Sequence, residues 1–419
     1  MGAPATDPQL PDSNRPRLYP TPVSKAERSA DVANSSIGNF SIVLGGPVYD
    51  LLVRFGLLRF GLPNTLARIT ALVALTWVPL LLLSIKDSLA FGHRVTIPLL
   101  ADFSMYGRFL LGLPLLVLAE AVIDPAIRRT VAEFAYAGIV PDTNLASFDK
   151  ILVRTQRLRD SAIPELLLMG LAFFPVFLFQ HEWRIGAVSS WHTTARGLTA
   201  AGWWYAVISA SLLRFITYRW AFRYFVWSAL LWQIGRLHLN LTPTHPDHSA
   251  GVGFLSLTQR RFGILFCALG CAFAGRVANG LVFEGSSLAS FKLLMVGFVV
   301  LSLIVGLLPL TMMAPTLAKV RRAGLLEYGR LSNRYTELFD RKWVHPVNPV
   351  PEPLLGTGDI QSLADLGTSF AMVDAMKIAP INKRLILQLA AQAATPLIPV
   401  VILGTPTPEL INQVLKMVT

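Results

Sequence analysis

Residues able to do chemistry concentrate in one loop and along five apolar stretches of this 419-residue chain. The loop runs from Thr242 to Phe254 and holds His245, Asp247, His248, Gly251 and Gly253. An imidazole nitrogen from His245 and a carboxylate oxygen from Asp247 are ligand types for a divalent metal, which could activate a water molecule. The same residues equally suit a plain turn. Pro246 and Asp247 would bend the chain, Asp247 or Ser249 would cap the next helix, and the glycines would let that helix pack closely. No other cofactor is evident: the chain has no P-loop, no dinucleotide glycine fingerprint, no GxSxG and no HExxH.

The apolar stretches carry the remaining candidates. Glu120 and Asp124 share a helix face, and Glu165 and Arg214 lie near the same ends of neighbouring stretches. Such acids could form a cation entrance or a proton relay, or else a boundary salt-bridge cluster with Arg128 or Arg214. Arg276 is the deepest charge, suited to an anion site or to snorkelling toward Glu284. Gln388, Gln392 and Thr395 fall at i, i+4 and i+7, a polar stripe followed by Pro396 and Pro399. A stripe beside a proline break suits a permeation path, and interhelical hydrogen bonding is its plainer use. Cys267 and Cys271 read as two small buried apolar side chains.

The elements that must position these residues are apolar. Hydrophobic residues make up 53% of the chain, charged residues 15%, and the mean hydropathy is +0.52. Soluble domains carry about 25% charged residues. Composition therefore excludes a simple soluble enzyme, a disordered chain and a disulfide-rich secreted domain, and makes lipid part of the solvent. Seven stretches approach the ~20 residues that cross a bilayer core: 69–89, 106–123, 162–180, 198–216, 262–282, 291–317 and 385–403.

The 37 Lys and Arg against 25 Asp and Glu give a net +12. Counted by connecting segment, with Arg68 and Arg108 set aside, Lys and Arg number 6, 2, 6, 2, 6, 2, 10 and 1. Under the positive-inside rule this alternation predicts a cytoplasmic N-terminus. It explains the basic excess by topology, so the expected partner is the lipid bilayer and not nucleic acid.

The expected fold is an all-α polytopic membrane protein with six to seven transmembrane helices and cytoplasmic helical extensions. Residues 1–44 read as a disordered cytoplasmic tail. Residues 45–317 read as a membrane domain of six spans, with a surface helix over 47–60 and cytoplasmic helices within 125–160 and 217–260. Nothing breaks a helix from Gly202 to Gly235, where five of the nine tryptophans fall. Arg219 and Arg223 on one face there suit an interface anchor with snorkelling arginines. Residues 318–380 read as a cytoplasmic helical segment with a Pro-rich linker. Its two apolar stripes (Tyr328, Leu331, Tyr335, Leu338 and Leu363, Leu366, Phe370, Val373) need a partner, either each other or a second subunit. Residues 381–419 read as a seventh, proline-broken span and a C-terminal helix.

The loop of His245, Asp247, Gly251, Gly253 and Phe254 resembles that of an uncharacterised family of bacterial multi-spanning inner-membrane proteins. So do the segment Asp365 to Phe370, the Gly45-Gly46-Pro47 lead-in and the aromatic-rich fourth span. The resemblance covers most of the chain after residue 40 and implies location and topology, not an activity. His248 stands where that family typically has Arg, and Ala250 where it has a first Gly. The functional expectation is a non-enzymatic pore, transporter or membrane sensor, acting as a homo-oligomer, with Glu120, Asp124, Glu165, Arg276, Gln388, Gln392 and Thr395 along its path. The alternatives are a metal-dependent membrane enzyme using His245 and Asp247, and a scaffold or assembly factor of an envelope complex.

Overall fold

A computed structural model describes residues 37–38, 40–46, 62–92, 94–178, 189–194, 197–347, 352–353 and 356–405. Residues 1–36 and 39 of the tail expected over 1–44, the surface helix over 47–60, half of the Pro-rich linker and the C-terminal helix lie outside the described residues. Phe40, Ile42 and Val43 of that tail, expected to be disordered, are instead buried against the helices. The described chain is predominantly helical. Five helices are long and apolar enough to cross a membrane: α1 (Leu62–Lys86), α2 (Phe103–Tyr136), α6 (Leu255–Phe283), α7 (Leu288–Thr311) and α10 (Lys383–Gly404). Between α2 and α6 come α3 (Leu145–Asp160), α4 (Ala162–Leu178) and α5. The last is one continuous helix of Ala200–Trp204, a π-helical turn Tyr205–Ser209 and Ala210–Gly235. Before α5, a small antiparallel ribbon of β1 (Thr193–Thr194) and β2 (Gly197–Leu198) pairs Thr193 with Leu198. After α7 come α8 (Ala314–Phe339) and α9 (Gly358–Asp374).

Connected spans run in opposite directions, so the bundle has two ends. Residues 40–46 mark the proximal end, where Val43 meets Arg223. Segment 87–102 and the ribbon mark the distal end, where Phe103 lies beside Phe283. The core gathers α2, α5 and α6 around fully buried Trp227, Phe134, Phe148 and Phe262. In contrast α7 turns Leu293, Leu301 and Ile304 outward, as a lipid-facing helix does.

Lipid offers no hydrogen bonds, so a proline inside a span strands the carbonyl four residues back. Pro79 of α1 strands Leu75, and the Trp204 indole of α5 donates to that carbonyl at 3.2 Å. Pro309 of α7 strands Val305, and the Tyr224 hydroxyl of α5 donates to it at 2.6 Å. The Trp220 indole donates to the Leu116 carbonyl of α2 at 2.8 Å. Gln259 of α6, fully buried, donates to the Tyr224 hydroxyl at 2.8 Å and the Gly306 carbonyl at 2.6 Å. The aromatic run on α5 is therefore the hub of the bundle: its rings fill the core, while the Trp204 and Tyr224 tips replace missing backbone donors.

Three boundaries differ from the sequence reading. First, α2 is a single helix of 34 residues through Pro125, where a span and a separate helix were expected. Second, α7 ends at Thr311 and α8 starts at Ala314, with Pro315 in the first turn, where its missing N–H costs nothing. Third, α10 is not broken by its prolines. Thr395–Leu397 tightens into a 3-10 turn and the helix resumes at Ile398. Pro396 and Pro399 each sit at the start of a segment, a tolerated place, and the Thr395 hydroxyl donates to the Ala391 carbonyl at 2.7 Å.

On the proximal side α8 and α9 form an antiparallel pair. Arg321 holds the Asp374 carbonyl at 2.8 Å, and the Tyr335 hydroxyl donates to the Asp359 carbonyl at 3.1 Å. The two expected stripes meet only in part, since Leu331 and Leu338 stay exposed.

Candidate functional site

Glu120 lies 17 residues into α2, roughly 26 Å along it and so near the proximal edge of a ~30 Å hydrocarbon layer. Two other helices share its carboxylate. Arg68 of α1 donates to one oxygen at 2.6 Å and Arg223 of α5 to the other at 2.8 Å. One turn earlier on α5, Arg219 pairs with Glu165 of α4 at 3.3 Å. Arg223 also donates to the Val43 carbonyl at 3.0 Å and lies 5.1 Å over the Trp220 ring. The next turn of α2 presents Asp124, which accepts from Arg128 at 2.7 Å and from the Ser41 hydroxyl at 2.5 Å.

Residues 41–46 are laid across these helix ends. Arg159 of α3 donates to the Ser41 carbonyl at 2.5 Å and pairs with Asp160 at 2.6 Å. Gly45 has φ +138°, and a Cβ there would collide with the Asp160 and Arg159 side chains, so glycine is what allows the close approach. A cleft of about 20 Å³ opens between Gly45, Arg159, Glu165, Arg219 and Arg223, which is room for one water molecule. Arg128 matches Asp124 and Arg159 matches Asp160. Among the described residues Arg68, Arg219 and Arg223 pair with Glu120 and Glu165, three guanidiniums against two carboxylates.

A second buried carboxylate sits at the distal end. Asp102, only 5% exposed, caps the start of α2 by accepting from the Ser104 N–H at 2.9 Å. The same oxygen accepts from the Asn279 amide of α6 at 2.7 Å, and the other accepts from the Trp191 indole at 2.9 Å. Asn279 in turn accepts from the Phe103 N–H at 2.9 Å. Trp191 is fully buried and stands edge-on to Tyr205, whose hydroxyl receives Arg108 at 2.5 Å. Burial pushes the neighbouring His192 imidazole below its ordinary value, against an upward pull from Asp102 and with a further push down from Arg108.

The loop before α6 brings His245 and Asp247 together and spends both on a turn. One Asp247 oxygen accepts from the Ser249 N–H at 2.8 Å and the Gly251 N–H at 3.1 Å, and the other from the Gly253 N–H at 2.8 Å. His245 Nδ1 lies 2.8 Å from the first oxygen. Burial pushes the Asp247 carboxyl up, but the Ser249, Gly253 and Gly251 donors, with His245, outweigh it and hold the group below its ordinary range. His248, Ala250 and Gly251 all adopt positive φ (52°, 55° and 95°). A Cβ on Gly253 would come within 2.8 Å of the Asp247 oxygen. Among the described residues no group of three or more His, Cys, Asp or Glu side chains is arranged to hold a metal. Backbone donors close around the Asp247 carboxylate, as in the turn alternative read from the same residues.

The seven residues expected along one path divide. Glu120, Asp124 and Glu165 meet in the proximal cluster. Arg276, half exposed, pairs with Glu284 at 2.7 Å, which is the snorkelling alternative. On α10, Gln388 is half-buried and Thr395 is exposed, while the Gln392 amide lies against Gly263 of α6, where a Cβ would collide with it, and its buried Oε1 has no described partner. Arg214 stays outside the cluster and donates to the Ser211 hydroxyl at 2.9 Å. Sequence reasoning missed Arg68 and Arg223 as the partners of Glu120, Arg219 as the partner of Glu165, and the whole Asp102 site. Asn279, an uncharged polar residue inside an apolar stretch, was the available signal for the last. No family model, curated protein or solved structure matches the chain.

Proposed function

We propose that this chain is a non-enzymatic multi-pass membrane protein of the channel or transporter class, closed at its proximal end by the Glu120 cluster. The observation that carries the proposal is the Arg68–Glu120–Arg223 bridge, which joins three helices at the edge of the hydrocarbon beside a water-sized cleft. Ionisable groups at that depth are costly, and they mark ion and substrate routes. Glu120 and Asp124 on one face of α2 suggested a cation entrance. Their arginine partners reverse the sign, and an excess guanidinium suits a small anion. Residues 41–46 are the plug, held by Arg223, Arg159 and Asp124.

The topology assigned here has seven spans: the five long apolar helices with α4 and α5. The described part of α4 has 17 residues, or roughly 26 Å. Residues 200–235 of α5 reach roughly 54 Å, so the proximal part of α5 projects past the bilayer. The alternation of Lys and Arg puts the proximal end in the cytoplasm. The resemblance of the His245 loop to bacterial inner-membrane proteins supports that membrane as the location.

Chloride efflux from liposomes holding the purified chain tests the proposal. Glu120→Gln removes the charge that holds Arg68 and Arg223 together and raises efflux about tenfold, as expected for a shift of ~1.4 kcal/mol in a closed–open equilibrium. Efflux equal to that of empty liposomes from both the parent chain and Glu120→Gln overturns it.

A further inference from the structure

A second cleft, of about 270 Å³, opens between α2 and the start of α6 and shares no residue with the Glu120 cluster. Its walls carry Arg129 and Thr130 of α2 and Leu257, Thr258, Arg260 and Arg261 of α6. The Thr130 and Thr258 hydroxyls bond to each other and make a buried polar floor. Among the described residues none of the three arginines has a carboxylate partner. Glu133 shares the cleft, so three guanidiniums against one carboxyl leave two positive charges there.

Depth narrows the ligand. Phe103 and Phe283 lie side by side at the distal end. About 20 residues from that level cross the hydrocarbon, which takes α2 to about residue 123 and α6 to about residue 263. Arg129, Arg260 and Arg261 then fall roughly 3–9 Å beyond that boundary, within the headgroup layer. Leu257 is 59% exposed beside them, an apolar side chain at the rim of a basic pocket. Basic pockets between spans at this level suit phosphate-bearing headgroups.

We infer that this cleft is a binding site for a phosphate group, filled by the headgroup of an anionic phospholipid, with free phosphate as the other source of the same chemistry. The site stands whether or not the chain conducts ions. Native mass spectrometry of the full chain in detergent, with phosphatidylglycerol, phosphatidylcholine or inorganic phosphate as probe, tests it. The chain retains phosphatidylglycerol over phosphatidylcholine. Arg129→Ala/Arg260→Ala/Arg261→Ala weakens that retention about 100-fold, since each arginine near an anionic headgroup contributes about fivefold. Arg322→Ala/Arg330→Ala/Arg334→Ala, which removes three exposed charges from α8, changes it less than about twofold, because remote charges are screened. Arg261→Ala alone, at an exposed position, costs about fivefold and decides the matter if the triple variant does not fold. Phosphate binding that depends on the same arginines, with no preference between the two lipids, keeps the site and makes its ligand soluble. Equal retention in the parent chain and the cleft variants, or equal loss in cleft and α8 variants, overturns the inference.

Discussion

At the distal end Asp102 meets three neutral donors, from Ser104, Asn279 and Trp191. At the proximal end Glu120 meets two guanidiniums carried by different helices, with a third beside Glu165. Both carboxylates are withdrawn from water, and the difference lies in what holds them. Neutral donors on a helix start, a buried indole and an amide have one arrangement and no charge to spare. The Asp102 site is a clamp that fixes α2 against α6. Among the described residues the proximal set has more cations than anions, with a water-sized cleft and a pinned segment across it. Long arginines can exchange carboxylate and carbonyl partners there, which is what a gate requires.

The sharpest way to break this contrast is Glu120→Ala. Leaving Arg68 and Arg223 without their carboxylate costs about 4 kcal/mol in thermal unfolding. Replacing all three with apolar residues (Glu120→Leu/Arg68→Met/Arg223→Met) restores most of that stability while abolishing efflux. A cluster that exists for stability gives the opposite result. Asp102→Ala comes next. It strands three donors, two of them side chains buried in the bundle, and costs about 3 kcal/mol with no change in ion selectivity.

The Asp247 turn ranks third. Asp247→Ala removes the acceptor for three backbone N–H groups and costs about 2 kcal/mol. The folded-state value of this carboxyl lies below its ordinary 3.8, so its contribution is complete above that value. It is lost as pH falls through the lower, folded value. Unfolding of the parent chain measured from about pH 6 to pH 3 shows this loss, and Asp247→Asn removes it. The smallest effect separates packing from donor replacement on α5. Trp204→Phe costs about 1 kcal/mol because the Leu75 carbonyl stranded by Pro79 loses its donor. Pro79→Ala returns a backbone N–H to that carbonyl, so in the double variant the Trp204→Phe penalty falls away. Additive penalties in that cycle would mean that the indole only packs.

Much of the fold was legible because spans are written in composition. The five long apolar helices and the unbroken run from Gly202 to Gly235 follow from solvent physics acting on one segment at a time. Proline was harder to read. Pro125, Pro396 and Pro399 looked like breaks, yet Pro125 lies inside α2, and Pro396 and Pro399 each start a segment of α10. The site was half legible. Glu120, Asp124 and Glu165 stood out as costly charges near spans. Spacing along α5 gives a face for Arg219 and Arg223 but not the helix they meet, so they read as snorkelling anchors although Arg223 is 5% exposed. Arg68 sat at the edge of a span and was set aside in the charge count without a partner. Asp102 and Trp191 fall in short connecting segments, where polar residues are ordinary, and only tertiary packing brings Asn279 to them. In the Asp247 loop one set of residues fitted both a metal and a turn. Three backbone donors converging on the carboxylate are a property of conformation, which spacing cannot display.

The most direct test of the central claim compares the two ends in one assay. Chloride efflux from liposomes is measured for the parent chain, Glu120→Gln and Asp102→Asn at matched protein content. The account predicts that Glu120→Gln raises efflux about tenfold while Asp102→Asn leaves it unchanged, whatever its effect on thermal stability. Equal efflux from all three, or a larger change in Asp102→Asn than in Glu120→Gln, contradicts it.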